Sequence, residues 1–222
     1  MIILICALLH AFVTITIAKD HPTLPTQWVA ETIEPGAPGS GKGIESYNFV
    51  ANPNSDQPSS MWSNYTGCQR LIHVTSSNGG YRYLLGCDSL DCCKESQEGN
   101  QVEFQIPNFN YANPTKVIEV KYTPLVNITN FGETVTADEW SWTFDSPSGQ
   151  IIGEYRVYTN DCSDCVNGVE LIQWQDRAFG GEWFPIQFHN YKGIDPESDE
   201  GQQFAQTFDV PEVCLGNIMT CP

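Results

Sequence analysis

Trp140-Ser141-Trp142-Thr143-Phe144 puts an aromatic ring at every second position, with a hydroxyl side chain between each pair. In an extended strand successive side chains point to opposite faces, so this stretch buries one face and wets the other. A helix would spread the three rings around its circumference. The same period of two recurs along the chain. Val102, Phe104 and Ile106 alternate with Glu103 and Gln105, and Ile118, Val120 and Tyr122 alternate with Glu119 and Lys121. Ile172 and Trp174 flank Gln173, and Phe184, Ile186 and Phe188 alternate with Pro185, Gln187 and His189. Turn signals separate these segments: Asn78-Gly79-Gly80, Asn113-Pro114, Ser146-Pro147-Ser148-Gly149, Asn167-Gly168 and Gly180-Gly181. The pattern predicts about ten to twelve strands.

Helix signals are scarce. No window sustains an apolar stripe at helical spacing over three turns. Asp195 to Gln206 suits one short helix, with Pro196 at its first position. Residues 34–43 and 51–60, rich in Pro, Gly, Asn and Ser, read as loops within one domain, and there is no internal repeat. The expected fold is all-β with at most one short helix: a strongly twisted antiparallel half-barrel.

Composition narrows the function. The 222 residues carry 10 basic and 27 acidic side chains, a net charge of -17. Nucleic-acid binding needs clustered Lys and Arg, so no nucleic-acid partner is expected. With 41% hydrophobic residues the chain has enough apolar surface for a core of its own.

Residues 1–18 read as a secretory signal peptide, apolar from Ile2 to Ile17 with small residues at Thr16-Ile17-Ala18. The plan is therefore a signal peptide over 1–18, one β domain over 19–213 and a Cys-containing tail over 214–222. A secreted protein, extracellular or in an endomembrane lumen, follows, with no membrane-spanning segment once the signal is removed. Eight cysteines then remain: Cys68, Cys87, Cys92, Cys93, Cys162, Cys165, Cys214 and Cys221. An even number in an oxidising compartment implies up to four disulfides. Adjacent Cys92 and Cys93 are expected to reach different partners, and Cys214 and Cys221 to tie down the tail. Asn64-Tyr65-Thr66 and Asn127-Ile128-Thr129 are N-glycosylation sequons at Asn64 and Asn127.

Signatures of chemistry are weak. Residues 36–43 approach a phosphate-binding loop, but Gly43 stands where Ser or Thr must hold magnesium. Cys162-Ser163-Asp164-Cys165 has redox spacing, yet it falls in a hairpin loop rather than at a helix N-terminus, and reads as a structural disulfide. Asp195 to Gly201 is an acidic run with the wrong residues for a calcium loop: Glu200 where Gly is needed and Gln206 where Glu is needed. No nucleophile elbow or zinc-protease motif is present. No cofactor and no enzymatic activity are expected. Six Trp, nine Tyr and eleven Phe exceed what a thin sheet requires. The concave face of a half-barrel is filled by covering segments or by a ligand. The candidate ligand-binding residues are Trp140, Trp142, Phe144, Trp174, Phe184 and Phe188.

Several segments resemble the N-terminal, non-catalytic domain of secreted papain-type cysteine proteases of the counting-factor-associated type. Leu24-Pro25-Thr26-Gln27-Trp28-Val29-Ala30-Glu31 looks like its first strand, and Asp138 and Trp140 match its Gly-x-x-Cys-Asp-x-Trp motif. Tyr155-Arg156-Val157-Tyr158, the stretch from Gly181 to Asp195, and Phe208-Asp209-Val210-Pro211 follow in the family's order. Ala137 and Thr134 replace that motif's Cys and Gly, so no disulfide pairing carries over. No papain-like Cys-Gly-x-Cys-Trp segment is present, so proteolysis is not expected. The domain is similar to ependymin-related proteins and to the LolA-like half-barrel. That resemblance implies a module for a hydrophobic, lipid-like ligand, or for an extracellular protein partner recognised through the acidic surface, with calcium as a bridge in one version.

Overall fold

The computed structural model describes residues 19–20, 22–33, 42–48, 59–65, 68–75, 79–86, 91–97, 120–145, 151–178, 181–216 and 219–221. The segment expected as a signal peptide, the strand expected over 102–106, most of the phosphate-loop look-alike and Cys87 lie outside them.

Among the described residues twelve strands form one open sheet. The first six are β1 (Gln27–Ile33), β2 (Lys42–Asn48), β3 (Ser59–Tyr65), β4 (Cys68–Thr75), β5 (Gly79–Leu85) and β6 (Cys92–Gln97). The longer strands follow: β7 (Lys121–Asn130), β8 (Glu133–Asp145), β9 (Ile151–Asp161), β10 (Val169–Ala178) and β11 (Phe184–Ile194). The two-residue β12 (Met219–Thr220) is last. The order across the sheet is β12-β6-β5-β4-β3-β2-β1-β11-β10-β9-β8-β7. Two antiparallel meanders thus meet at one seam, where β1 pairs with β11. Only β12, beside β6, runs parallel to its neighbour.

The pleat gives the sheet two distinct faces. The inner face carries the main core: Trp28 and Ala30 from β1, Phe188 and Tyr191 from β11, Leu171 and Trp174 from β10, Val157 from β9 and Trp140 from β8. The outer face has two separate covers. Over β4 to β6, Phe208 and Cys214 pack against Leu71, Tyr83 and Cys92, and Phe204 of the helix α1 (Asp199–Gln206) joins them. The indole of Trp62 donates to the carbonyl of Thr207 just past the helix, at 2.8 Å.

The second cover is the β7–β8 hairpin. β8 pairs with β9 only from Asp138 onward, so its first five residues are free to leave the plane with β7. Val126, Ile128 and Ala137 pack on Tyr158 of β9 and Ile172 of β10. The hairpin tip reaches past both strands to β11. There Asn130 Nδ2 donates to the Phe188 carbonyl at 3.0 Å, and the Phe131 amide donates to Gln187 Oε1 at 2.7 Å.

Two sequence expectations need correction. The period of two put Ile172 and Trp174 on one face. The register of β10 against β9 shifts between Leu171 and Gln173, a bulge that turns Ile172 to the outer face and keeps Leu171 and Trp174 on the inner one. The helix starts later than Pro196. Ser198 is its N-cap, accepting from the Gly201 amide, and Pro196 belongs to the turn before it. The first turn of α1 presses on that turn: a Cβ at Gly201 would collide with the Asp195 carbonyl and with Pro196 Cα, so only glycine fits.

The cysteines stitch the C-terminal segment to the sheet. Cys92 bonds Cys214, Cys93 bonds Cys221, and Cys162 bonds Cys165. Cys68 is also disulfide-bonded. Adjacent residues on a strand point to opposite faces, and this is why neighbours Cys92 and Cys93 reach different partners.

Candidate functional site: an aromatic inner face

The inner face is built in cross-strand rows, because directly paired residues share a face. One row runs Trp140, Val157, Trp174, Ile186 across β8, β9, β10 and β11. The next row, nearer the strand ends, runs Trp142, Tyr155, Asp176, Phe184.

Burial is graded between the two rows. In the first, Trp140 and Trp174 are only 2% and 3% exposed. In the second, Trp142 and Tyr155 are half-buried, and Phe184 is 65% exposed. Phe188, further in, is buried with its ring edge-on to Trp28 at 5.6 Å. Rings link the rows: Tyr122 lies 4.6 Å from Trp140, and Tyr155 lies 5.5 Å from Trp142 and 6.3 Å from Trp174. The face therefore has a packed floor and an aromatic rim that meets solvent.

The six expected ligand residues divide accordingly. Trp140, Trp174 and Phe188 form the floor, and Trp142 and Phe184 stand on the rim. Phe144 lies in β8 opposite Gly153, and its side chain is outside the described atoms. Sequence reasoning missed Trp28, Tyr122, Tyr155 and Tyr191 as parts of the same face. The alternation of Tyr155 and Val157 with Glu154 and Arg156 carried the signal. Trp28 and Tyr191 carried none, because only the seam between β1 and β11 joins them.

Polar atoms on this face are unevenly satisfied. The Trp140 indole donates to Thr159 Oγ1 at 3.0 Å. Trp174 Nε1, Tyr191 OH and Thr32 Oγ1 are buried with no hydrogen-bond partner. An unmet buried polar group costs about 1–3 kcal/mol. Burial, with the Glu170 carboxylate nearby, pushes the Tyr191 hydroxyl far above its ordinary pKa, so it stays protonated.

Elsewhere the expected sites are put to structural use. In the acidic run, Asp195 Oδ1 accepts from the Glu197 amide at 3.0 Å and the Asp195 carbonyl accepts from the Ser198 hydroxyl at 2.6 Å. The run thus builds the entry to α1. Among the described residues no three His, Cys, Asp or Glu side chains gather as a metal site. No helix among them is long and apolar enough to cross a membrane. Asn64 and Asn127 are both exposed.

No family model matches the chain, and no curated protein matches it. Among solved structures it is similar to a DUF1329 family protein from Desulfovibrio piger, at 10% identity over 79% of this chain and 88% of that one, with a TM-score of 0.41. It is also similar to a putative outer membrane lipoprotein-sorting protein domain from Vibrio parahaemolyticus, at 9% identity over 82% of this chain and 90% of that one, with a TM-score of 0.45. Nothing in these comparisons supports the resemblance to the counting-factor-associated proteases.

Proposed function

We propose that this chain is a secreted, non-catalytic binding module that holds a hydrophobic, lipid-like molecule against its aromatic inner face. The observation that carries the reading is the graded pair of rows. Trp142, Tyr155 and Phe184 offer a ligand an aromatic rim, and Trp140, Trp174 and Phe188 lie behind it as a rigid floor. Exposed aromatics beside a packed apolar wall are costly to leave in water and suit an apolar guest. The disulfides fit an oxidising compartment, which supports secretion with residues 1–18 removed. Residues 19–213 form the single domain in this reading, the tail is tied back by Cys214 and Cys221, and glycans occupy Asn64 and Asn127. Cleavage after Ala18 leaves Lys19 as the first residue, with its ammonium held between Asp138 at 2.7 Å and Asp161 at 2.8 Å.

Native mass spectrometry of protein secreted from a eukaryotic host tests the reading. The expected result is an extra mass that leaves on mild denaturation. The double variant Trp142→Ala, Phe184→Ser should keep its fold and lose that mass. If the variant keeps the ligand, or if the wild type takes up no fatty acid or fatty alcohol from added stocks, the reading fails.

A further inference from the structure

The rim row of the inner face holds one charge among its rings. Asp176 pairs with Tyr155 on one side and with Phe184 on the other, and Tyr155 pairs with Trp142. Paired residues share a face, so the carboxylate is bordered by aromatics. Asp176 is half-buried, as are Trp142 and Tyr155, and Phe184 is 65% exposed. The two neighbouring rows of β8 to β11 on that face, from Trp140 to Ile186 and from Phe144 to Ala178, bring no charged side chain. Arg156 and Arg177 alternate to the outer face, where both lie against the Trp183 ring and Arg177 pairs with Glu154 at 2.6 Å. Asp176 has an interaction of its own within the chain. A carboxylate offers about four acceptor sites, so it can keep that interaction and take a charged guest as well.

We infer that Trp142, Tyr155, Phe184 and Asp176 hold the cationic ammonium head group of a lipid whose tail lies along the inner face. This rests on the carrier reading above and adds the ligand's charge. The negative face of an aromatic ring draws an ammonium lying within about 6 Å, and more strongly where water is partly excluded. Two half-buried rings and one exposed ring offer such faces in a single row, with the Trp142 and Tyr155 centroids 5.5 Å apart. Asp176 supplies the opposite charge, and the same charge repels the carboxylate of a fatty acid. A neutral guest would gain little from a carboxylate that costs free energy to keep half-buried among rings. The chain's net charge of -17 adds a field that gathers cations around it.

The test titrates palmitoylcholine, hexadecanol, palmitic acid and choline into delipidated full-length protein at physiological ionic strength, where attraction by distant charges is screened. Wild type should bind palmitoylcholine roughly tenfold tighter than hexadecanol, and palmitic acid no tighter than hexadecanol. Asp176→Asn should remove most of that preference by weakening the choline ester, not by tightening the alcohol. Glu133→Gln, which removes the same charge from an exposed site at the tip of the β7–β8 hairpin, should leave the preference intact. Phe184→Leu, which keeps an apolar side chain but no ring, should shrink the preference about threefold. Thermal melts check the fold of all three variants, and if Asp176→Asn does not fold, Phe184→Leu decides. Equal binding of ester and alcohol by the wild type, or tightest binding of the acid, overturns the inference and leaves the carrier reading standing. Binding of none of the three lipids overturns both. Choline bound as tightly as its ester identifies a free-cation site and overturns the lipid assignment. A preference that survives Asp176→Asn and Phe184→Leu alike comes from the charge of the whole chain and overturns the assignment to this row.

Discussion

The two meanders solve the same problem by different means. Strands β2 to β6 are six to eight residues long, and the segment that covers them is bonded to β6 through Cys92–Cys214 and Cys93–Cys221. Strands β7 to β11 are ten to thirteen residues long, and their cover is their own β7–β8 hairpin, held by packing and by hydrogen bonds to β11. The only disulfide of that half, Cys162–Cys165, spans three residues and shapes a turn. Long strands bring enough buried area to hold a cover without covalent help. Short strands do not, and a tail that would fray must be cross-linked.

Removing the long-range bond should break this comparison most severely. Closing a loop with a sequence separation of 122 stabilises by as much as ~5 kcal/mol in the chain-entropy account, against about 2 kcal/mol for a separation of three. The variant with Cys92, Cys93, Cys214 and Cys221 all changed to Ser, which opens a loop that either bond alone would keep closed, should therefore lose far more stability in urea than Cys162→Ser, Cys165→Ser. Its amide exchange should rise first in α1 and around Cys214 while β8 to β10 stay protected. Equal losses would show that covalent ties matter alike in both halves.

The long half should instead be vulnerable at its core. Trp140→Ala removes a buried indole, its bond to Thr159 and its contact with Tyr122, and should cost about 4 kcal/mol. Trp142→Ala, one row out and half-buried, should cost under half as much. Similar costs would mean that the rim is as tightly packed as the floor.

The smallest effect is electrostatic. Burial works against the charge on Asp138, but the Lys19 ammonium and the Leu125 amide outweigh it and hold the carboxyl below its ordinary 3.8. Burial likewise opposes the charge on Lys19, and the bonds to Asp138 and Asp161 raise its pKa from 10.5 to about 12. The lowered acid contributes above pH 3.8 and fades as pH falls through its folded value. The raised amine contributes below pH 10.5 and fades as pH rises through 12. Lys19 is 32% exposed and Asp161 81%, so the whole contact is worth ~1 kcal/mol. Lys19→Met should lose about that much at pH 7 and progressively less as pH falls below 3.8, by urea titration. An equal loss at both ends of that range would assign it to packing.

The all-β reading followed from alternation alone, and Trp140, Trp142, Phe184 and Phe188 were found because each sits in a stretch of regular period. The bulge in β10 was not legible. One extra residue changes no side chain's chemistry, only which face Ile172 joins. The hairpin cover was equally hidden, since Val126, Ile128 and Ala137 alternate as any half-buried strand would.

Local rules thus determined the strands and the turns, because pleat and turn chemistry act over a few residues. The tertiary structure decided the seam of β1 with β11, the partners of Cys92 and Cys93, and the division of the aromatics into floor and rim. Those depend on which distant strands pair and in what register. That choice rests on the summed burial of the whole sheet, which no single stretch of sequence contains.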